Sequence, residues 1–382
     1  MDHATPRRTI ARSALRRMLI GVATIAVVAL TTVACGSGSA TPSAADSEAA
    51  DNQASDGDGP AIVATTTILG DVARQVAGDG ADVSVLMPVG ADPHNFEPSA
   101  QQQAQLLEAD LIVANGAGLE ASLADPLAEA ERAGVPVFTA IEHVTPITAQ
   151  QDDGEDEHDA EHEPEANTDA ADHDDEHGHG EEKSNAADHA DVTDEHTDEH
   201  TDSHEGGTDP HFWMDPMRMA GVARELGEQI ASAGGDGAQL PQQGAAYASR
   251  LEALDGEISE LLAAVPDGRR TLVTNHDAFG YFAERYDFRV VGTVIPGGST
   301  GAEPSAQDVE ALARTVEREQ VAAIFTETIA ADAVARTLAR EVGDEVEVVA
   351  LYSGSLDEQG SSAATYEAML RTNAERISAA LS

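Results

Sequence analysis

Three histidines lie in turns of similar composition, each at a point where a strand or loop is predicted to meet a helix. The turns are Asp92-Pro93-His94-Asn95, Asp209-Pro210-His211-Phe212 and Thr274-Asn275-His276-Asp277. The prolines of the first two turns fix backbone dihedrals, so each imidazole is presented from a rigid segment. Neutral imidazole is a preferred ligand of tetrahedral zinc, and a zinc site needs rigidly held ligands. The pattern predicts a zinc site formed by His94, His211 and His276.

A tetrahedral ion needs a fourth ligand, and ligating imidazoles need partners that orient them. Three side chains are candidates for either role: Glu327 at the end of a predicted strand, Asp277 beside His276, and His143 just past another predicted strand. The acids Asp92, Asp209 and Asp215 are further candidates for orienting the imidazoles. Aspartate before proline or at a helix start is equally typical of turns and N-caps, so that alternative stays open.

An acidic, histidine-rich stretch, Gln151 to Gly207, directly precedes the second turn. Its 57 residues hold 24 of the chain's 70 Asp and Glu and 9 of its 14 His. Because it has almost no Leu, Ile, Val or aromatic residue, it cannot bury enough apolar surface to fold, and we predict a disordered insertion. Its histidines are His158, His162, His173, His177, His179, His189, His196, His200 and His204. We expect them to collect zinc weakly for the three-histidine site; the alternative is a solvated acidic spacer.

The N-terminus is typical of an export signal. Arginines precede an apolar stretch, Met18 to Val33, which ends at Ala34 before Cys35, the single cysteine of the chain. This pattern predicts a signal peptide over residues 1–34. The segment around Cys35 resembles a bacterial lipobox, which implies that a lipid on Cys35 anchors the protein to the outer face of the cell membrane. Residues 35–59 predict a flexible tether.

Charge and size limit the classes of function. The formal net charge of -49 argues against nucleic acid or an anionic lipid surface as a partner and favours a cation. The 382 residues, of which 41% are hydrophobic, suffice for two domains with buried cores.

Strands and helices alternate on both sides of the acidic stretch. The apolar, β-branched run Ala61 to Leu69 predicts a first buried strand, and the spacing of the later elements predicts βαβ units with parallel sheets. We expect an α/β fold of two similar lobes, with parallel sheets flanked by helices and one long rigid backbone helix between them. The predicted boundaries are 60–240 for the N-terminal lobe, 241–265 for the linking helix and 266–382 for the C-terminal lobe. Ligands of such sheets bind beyond the carboxyl ends of the strands.

The chain resembles the cluster A-I solute-binding lipoproteins of bacterial ABC importers, which bind zinc or manganese. The resemblance rests on Pro88 to Pro98, Asp209 to Pro216, Asn275 to Phe282, Gly301 to Ser305, and Thr365-Tyr366 with Asn373. It implies two α/β lobes bridged by a long helix, with one metal ligand from each of four places. The first three places fall on His94, His211 and His276. Histidine rather than glutamate at the third place favours zinc over manganese.

The fourth place departs from the family pattern. Many relatives have aspartate in the segment that corresponds to Leu351 to Leu356, where this chain has Gly354. Glycine has no side chain that could bind metal. Water, Glu327 or a histidine of the acidic stretch is therefore expected to complete the site.

The leading hypothesis is an extracytoplasmic zinc-binding receptor, not an enzyme, that delivers Zn²⁺ to the permease and ATPase of an ABC importer. We expect a monomer. Two alternatives stay open. Three histidines and a water on zinc are also the arrangement of zinc hydrolases. A zinc-storage or cell-adhesion lipoprotein would depend on the acidic stretch rather than on the cleft.

Overall fold

A computed structural model describes residues 59–148, 207–234, 237–343 and 346–382 of the chain. The predicted signal peptide, Cys35, most of the predicted tether and the nine histidines of the acidic stretch lie outside these ranges. Within them, every helix is too short or too polar to cross a membrane.

The N-terminal lobe is built on a parallel sheet of four strands. The strands are β1 (Ala61–Ala64), β2 (Asp82–Val85), β3 (Leu111–Ala114) and β4 (Val137–Thr139), in the spatial order β2-β1-β3-β4. The helices that connect them are α1 (Thr67–Ala77), α2 (Ala100–Glu108) and α3 (Ala124–Ala133). This alternation is the βαβ pattern that the sequence predicted.

Two longer helices follow. The first, α4 (Pro216–Ser232), begins with a proline that suits a first helical turn, and Asp215 caps it by accepting a hydrogen bond from the Met217 amide at 2.8 Å. The second, α5 (Leu240–Leu262), is the long helix predicted between the lobes.

The C-terminal lobe repeats the arrangement of the first. Its strands are β5 (Thr271–Thr274), β6 (Arg289–Thr293), β7 (Ala323–Glu327) and β8 (Glu347–Leu351), in the parallel order β6-β5-β7-β8. Its helices are α6 (Gly280–Tyr286), α7 (Ala306–Glu319), α8 (Ala333–Val342) and α9 (Tyr366–Leu381). The predicted fold class, two α/β lobes with parallel sheets flanked by helices, is confirmed.

The inner strands of the two sheets, β1, β3, β5 and β7, are buried on both faces. Ile62 of β1 and Leu272 of β5 lie in a central apolar cluster that also contains the buried stripe of α5, including Tyr247. Val63 and Val273, which point to the opposite faces, belong to two outer clusters under α2 and α3 and under α7 and α8. This burial explains why the strands read as continuous apolar runs rather than as alternating ones.

The first strand is shorter than the sequence predicts. A strand through Leu69 is wrong, because β1 ends at Ala64 and α1 begins at Thr67. The hydroxyl of Thr66 accepts a hydrogen bond from the Leu69 amide at 3.2 Å and caps that helix. An N-cap here outweighs the strand propensity of β-branched residues.

The carboxyl ends of the strands hold the residues of interest. His94 lies in the loop after β2, His276 follows β5, and Glu327 ends β7. An antiparallel bridge joins Thr148 to Thr208. The chain therefore leaves and re-enters the described fold at one place, beside the turn that contains His211.

Candidate metal centre

The three predicted histidines converge. Nε2 of His211 lies 3.2 Å from Nε2 of His94 and 3.3 Å from Nε2 of His276. One ligand atom from each ring lies within 4.8 Å of the other two. The ring planes are inclined at 49°, 88° and 70° to one another, so the three lone pairs can be directed at a common point. The N-terminal part of the chain supplies two of these rings and the C-terminal lobe supplies the third.

These separations fit a metal ion. Nitrogen ligands about 2.0 to 2.1 Å from a tetrahedral zinc lie roughly 3.3 Å from one another. The two measured nitrogen pairs have this separation. His211 and His276 are 1% and 2% exposed, whereas His94 is only partly buried. The site thus has two interior candidate ligands and one near the surface.

His211 is oriented by Asp209. Nδ1 of His211 donates a hydrogen bond to Oδ1 of Asp209 at 2.8 Å, and the His211 amide donates to the same oxygen at 2.9 Å. Because a carboxylate only accepts, Nδ1 carries the proton and Nε2 keeps its lone pair for a metal. An added Cβ at Gly280 would lie 2.9 Å from Oδ2 of Asp209. The first residue of α6 must therefore be small for Asp209 to occupy this position.

His276 is oriented by Glu327. Nδ1 of His276 donates to Oε1 of Glu327, and the hydroxyl of Ser353 donates to Oε2. Burial acts to raise the pKa of Glu327, but the charge of His276 and the two hydrogen bonds hold it below its usual value. Burial acts to lower the pKa of His276, but the charge and hydrogen bond of Glu327 outweigh it and raise that pKa. Glu327 is a charged acceptor, and Nε2 of His276 faces the other two rings.

His94 is held through its backbone. The His94 amide donates to Oδ1 of Asp92 at 3.0 Å, and the Asn95 amide donates to the carbonyl of Asp92 at 3.2 Å. These bonds close a tight turn around the buried Pro93. Asp92 therefore shapes the turn that presents the ring.

The other candidate ligands occupy different positions. Of the two roles predicted for Glu327, the geometry favours orientation of His276. His143 stacks on Phe138, with ring centroids 4.4 Å apart and an interplanar angle of 8°. Among the described residues, the ligand atoms that lie within 4.8 Å of one another come from the three histidines, so neither His143 nor Asp277 is part of this group.

Gly354, at the fourth place of the family pattern, packs against the turn of His94. An added Cβ would lie 2.8 Å from Cδ of Pro93 and 2.9 Å from Cδ1 of Ile329. Any larger residue, aspartate included, would require one of these neighbours to move. Gly354 therefore offers no side chain to a metal and packs closely on its neighbours.

Two residues that support the site were not predicted from the sequence. Ser353 donates to Glu327, and its carbonyl accepts a hydrogen bond from Nε1 of Trp213 at 2.8 Å, which ties the His211 turn to the C-terminal lobe. Both lie in segments that carry the family resemblance, but no role was predicted for either side chain. The position of Ser353 just beyond β8 was the available signal, because strand ends of a parallel sheet meet at one edge.

Comparisons with known proteins agree with this architecture. Residues 62–380 match the protein family described as ZnuA: Zinc-uptake complex component A periplasmic. The zinc-binding protein TroA of Treponema pallidum is 26% identical over 332 residues, which cover 84% of this chain and 89% of TroA. Its solved structure aligns with a TM-score of 0.66 over 85% of this chain and 99% of that chain.

Two further relatives are named for different metals. The zinc-binding protein AdcA of Streptococcus pyogenes serotype M3 is 25% identical over 318 residues, covering 83% of this chain and 55% of AdcA. The chain thus spans about half the length of that relative. The manganese-binding lipoprotein MntA of Bacillus subtilis is 27% identical over 328 residues, covering 84% of this chain and 89% of MntA. Since the family match extends over most of the sequence, the chain belongs to the ZnuA family.

Proposed function

We propose that the protein is an extracytoplasmic receptor that binds Zn²⁺ with His94, His211 and His276 and delivers it to the permease and ATPase of an ABC importer. The observation that supports binding is the convergence of three imidazole nitrogens at separations of 3.2 and 3.3 Å. The description of the family as a component of a zinc-uptake complex supports delivery. The protein is expected to act as a monomer.

Zinc is the proposed cargo in preference to manganese. The three ligands are neutral imidazoles, which suit zinc, whereas manganese favours carboxylate and water oxygens. Glu327, which could have supplied such an oxygen, is engaged by His276 and Ser353. Water is the proposed fourth ligand. Manganese is therefore expected to bind more weakly than zinc.

A competition titration against a zinc chelator tests this assignment. The full chain should hold one tightly bound Zn²⁺, and His211→Ala should weaken that site by about 100-fold, the share of one ligand in roughly 10–16 kcal/mol of zinc binding. His143→Ala is the matched control, because this imidazole stacks on Phe138 outside the group of three. Equal zinc affinity in the His211→Ala variant and the wild type would contradict the proposed zinc site.

The N-terminal features extend the proposal. A lipid on Cys35 would attach the protein to the outer face of the membrane, and residues 35–59 would act as a tether. The N-terminal lobe would span residues 60–240, the linking helix 241–265 and the C-terminal lobe 266–382. The name of MntA as a lipoprotein supports the anchor. Release of a Cys35→Ala variant into the medium is expected. An equally membrane-bound variant would contradict it.

The histidines of the acidic stretch are proposed to assist capture. Support comes from their number and from the bridge between Thr148 and Thr208, which places both flanks of the stretch beside the His211 turn. Deletion of residues 151–207 should slow zinc uptake when zinc is scarce and leave the tight site intact. Unchanged uptake would favour the acidic-spacer alternative.

One observation favours testing an enzymatic alternative. Gly354 leaves the fourth position without a protein side chain, and three histidines with a water on zinc also occur in hydrolases. Turnover of a model ester by the zinc-loaded protein, lost in His211→Ala, would support that function. We expect no turnover.

A further inference from the structure

The loop that carries His94 is in contact with the C-terminal lobe. This loop spans Pro88 to Pro98. At its start, the Gly90 amide donates a hydrogen bond to Oγ of Ser355 at 2.9 Å. At its centre, Pro93 packs so closely on Gly354 that an added Cβ would lie 2.8 Å from the proline ring. Gly354 and Ser355, two adjacent residues of the C-terminal lobe, therefore contact the segment that precedes His94.

A second segment of the C-terminal lobe contacts the same loop from the other side. The hydroxyl of Thr300, in the connection between β6 and α7, donates to Oδ2 of Asp92. Nδ2 of Asn95 donates to Oγ1 of Thr300 at 2.8 Å and to Oδ2 of Asp92 at 2.9 Å. The other oxygen of Asp92 accepts the His94 amide. The Thr300 hydroxyl thus links the C-terminal lobe to the turn that carries His94.

We infer that these contacts position His94 and set the rate at which bound metal leaves. We call them the His94 seam, defined by the pairs Gly90–Ser355, Pro93–Gly354, and Asp92 and Asn95 with Thr300. The inference rests on the proposed function. It assigns to Thr300 and Gly354 a role as positioning residues that touch no metal.

The three histidines differ in how they are held. His211 and His276 are buried, and each donates Nδ1 to a carboxylate within the fold. His94 is the partly exposed ligand, and the bonds on its own turn pass through Asp92 to Thr300. Opening of the seam therefore loosens the turn that presents His94.

The hydroxyl of Thr300 provides the first test. We load the full chain with half an equivalent of Zn²⁺, so that the tightest site fills, and measure transfer to excess chromogenic chelator by stopped flow. Thr300→Val keeps the shape but loses two hydrogen bonds, and release should accelerate about tenfold. Thr300→Ser keeps the hydroxyl and should release zinc at the wild-type rate. The melting temperature of the metal-free protein should stay unchanged, because Thr300 lies in a partly exposed connection.

Gly354 provides an independent test of packing. Gly354→Ala adds one methyl group against Pro93 and should also accelerate release severalfold by displacing the turn. Gly298→Ala is the matched control, since an added Cβ there has nothing within 4 Å. Gly354→Asp should likewise weaken zinc binding, although it restores the residue type of many relatives. Tighter zinc binding by Gly354→Asp would overturn the inference, because the position would then act as a ligand site.

The outcomes separate this inference from the proposed function. If the wild type binds zinc tightly and Thr300→Val releases it at the wild-type rate, the seam has no role and the proposed function stands. Equally fast release by Thr300→Ser and Thr300→Val would also contradict the inference, since the hydroxyl would then be irrelevant. If the wild type holds no tight zinc, the proposed function fails, and the inference fails with it.

Discussion

The histidines of the candidate metal centre are held in place in two different ways. His211 and His276 are interior residues, and each is fixed by a carboxylate, Asp209 or Glu327, that accepts a hydrogen bond from Nδ1. His94 is fixed through its backbone and through contacts with the opposite lobe. Two of the three rings are therefore oriented by carboxylates of their own part of the chain, whereas the turn that carries the third is held by a hydrogen bond from the opposite lobe. A receptor that must hold and then release its cargo needs both properties.

The sheet topology explains this division. The two sheets have equivalent orders, β2-β1-β3-β4 and β6-β5-β7-β8, so β2 and β6 are corresponding edge strands. The loop after β2 carries His94, and the connection after β6 carries Thr300. These equivalent segments are in contact. One carries His94, a proposed metal ligand, and the other supplies the hydroxyl that bonds the His94 turn.

The largest effect is expected from the carboxylates behind the buried ligands. Asp209→Asn and Glu327→Gln should each weaken zinc binding by about 10- to 100-fold, the usual cost of losing a partner that orients a ligating histidine. A competition titration against a zinc chelator measures the loss of zinc affinity. Glu284→Gln is the control, because this exposed acid pairs with Arg218 away from the ligands. Wild-type affinity in both variants would break the distinction between the carboxylate-held pair and His94.

A pH dependence sharpens the same comparison. In the metal-free protein, Glu327 raises the pKa of His276, so this pair stabilises the fold below the ordinary histidine pKa and loses that contribution as pH rises through the raised value. Zinc requires an unprotonated Nε2, so zinc affinity falls as pH drops through that value. The rise in melting temperature caused by zinc should therefore be largest near about pH 8 and decline toward about pH 6.

Glu327→Gln separates this effect from general protonation of histidines. Without the carboxylate, the pKa of His276 should fall because burial then dominates, and the decline in zinc stabilisation should begin at lower pH. Melting temperatures recorded with and without zinc over the same pH range measure this change. A zinc-induced shift that does not change between these pH values would contradict three-histidine ligation.

A smaller effect is expected at Ser353. Removing its hydroxyl in Ser353→Ala deletes one of two hydrogen bonds to Glu327 and leaves the carboxylate in place. Zinc affinity should fall by roughly three- to tenfold, in line with one lost bond to a charged acceptor. Ser249→Ala, an exposed site on α5 whose hydroxyl donates to the Ala245 carbonyl, is the control. A loss as large as that of Glu327→Gln would mean that Ser353 has more than a supporting role.

The features that were predicted from the sequence are those that depend on residues adjacent in the chain. The three histidines stood out because each lies in a turn where a strand or loop meets a helix, and those turns hold them in the structure. The alternation of strands with helices on both sides of the acidic stretch was predicted and is observed in both lobes. The strand predicted over Ala61 to Leu69 was too long, because Thr66 caps helix α1 and ends the extended segment.

The rest of the site depends on contacts between distant parts of the chain. The hydrogen bond from Thr300 to Asp92 and the packing of Gly354 on Pro93 join segments more than two hundred residues apart, so no periodicity or spacing signals them. The role of Glu327 was left open for the same reason. Its position at a strand end was predictable, but the choice between ligand and orienting partner depended on which nitrogen of His276 it contacts.

Zinc absorption spectroscopy on the full chain tests the central claim most directly. With half an equivalent of Zn²⁺ bound, we expect three imidazole nitrogens at about 2.0 to 2.1 Å and one oxygen. The same spectrum should persist after deletion of residues 151–207, and His94→Ala should reduce the imidazole count to two. A count that drops on deletion of the acidic stretch and is unaffected by His94→Ala would contradict the account.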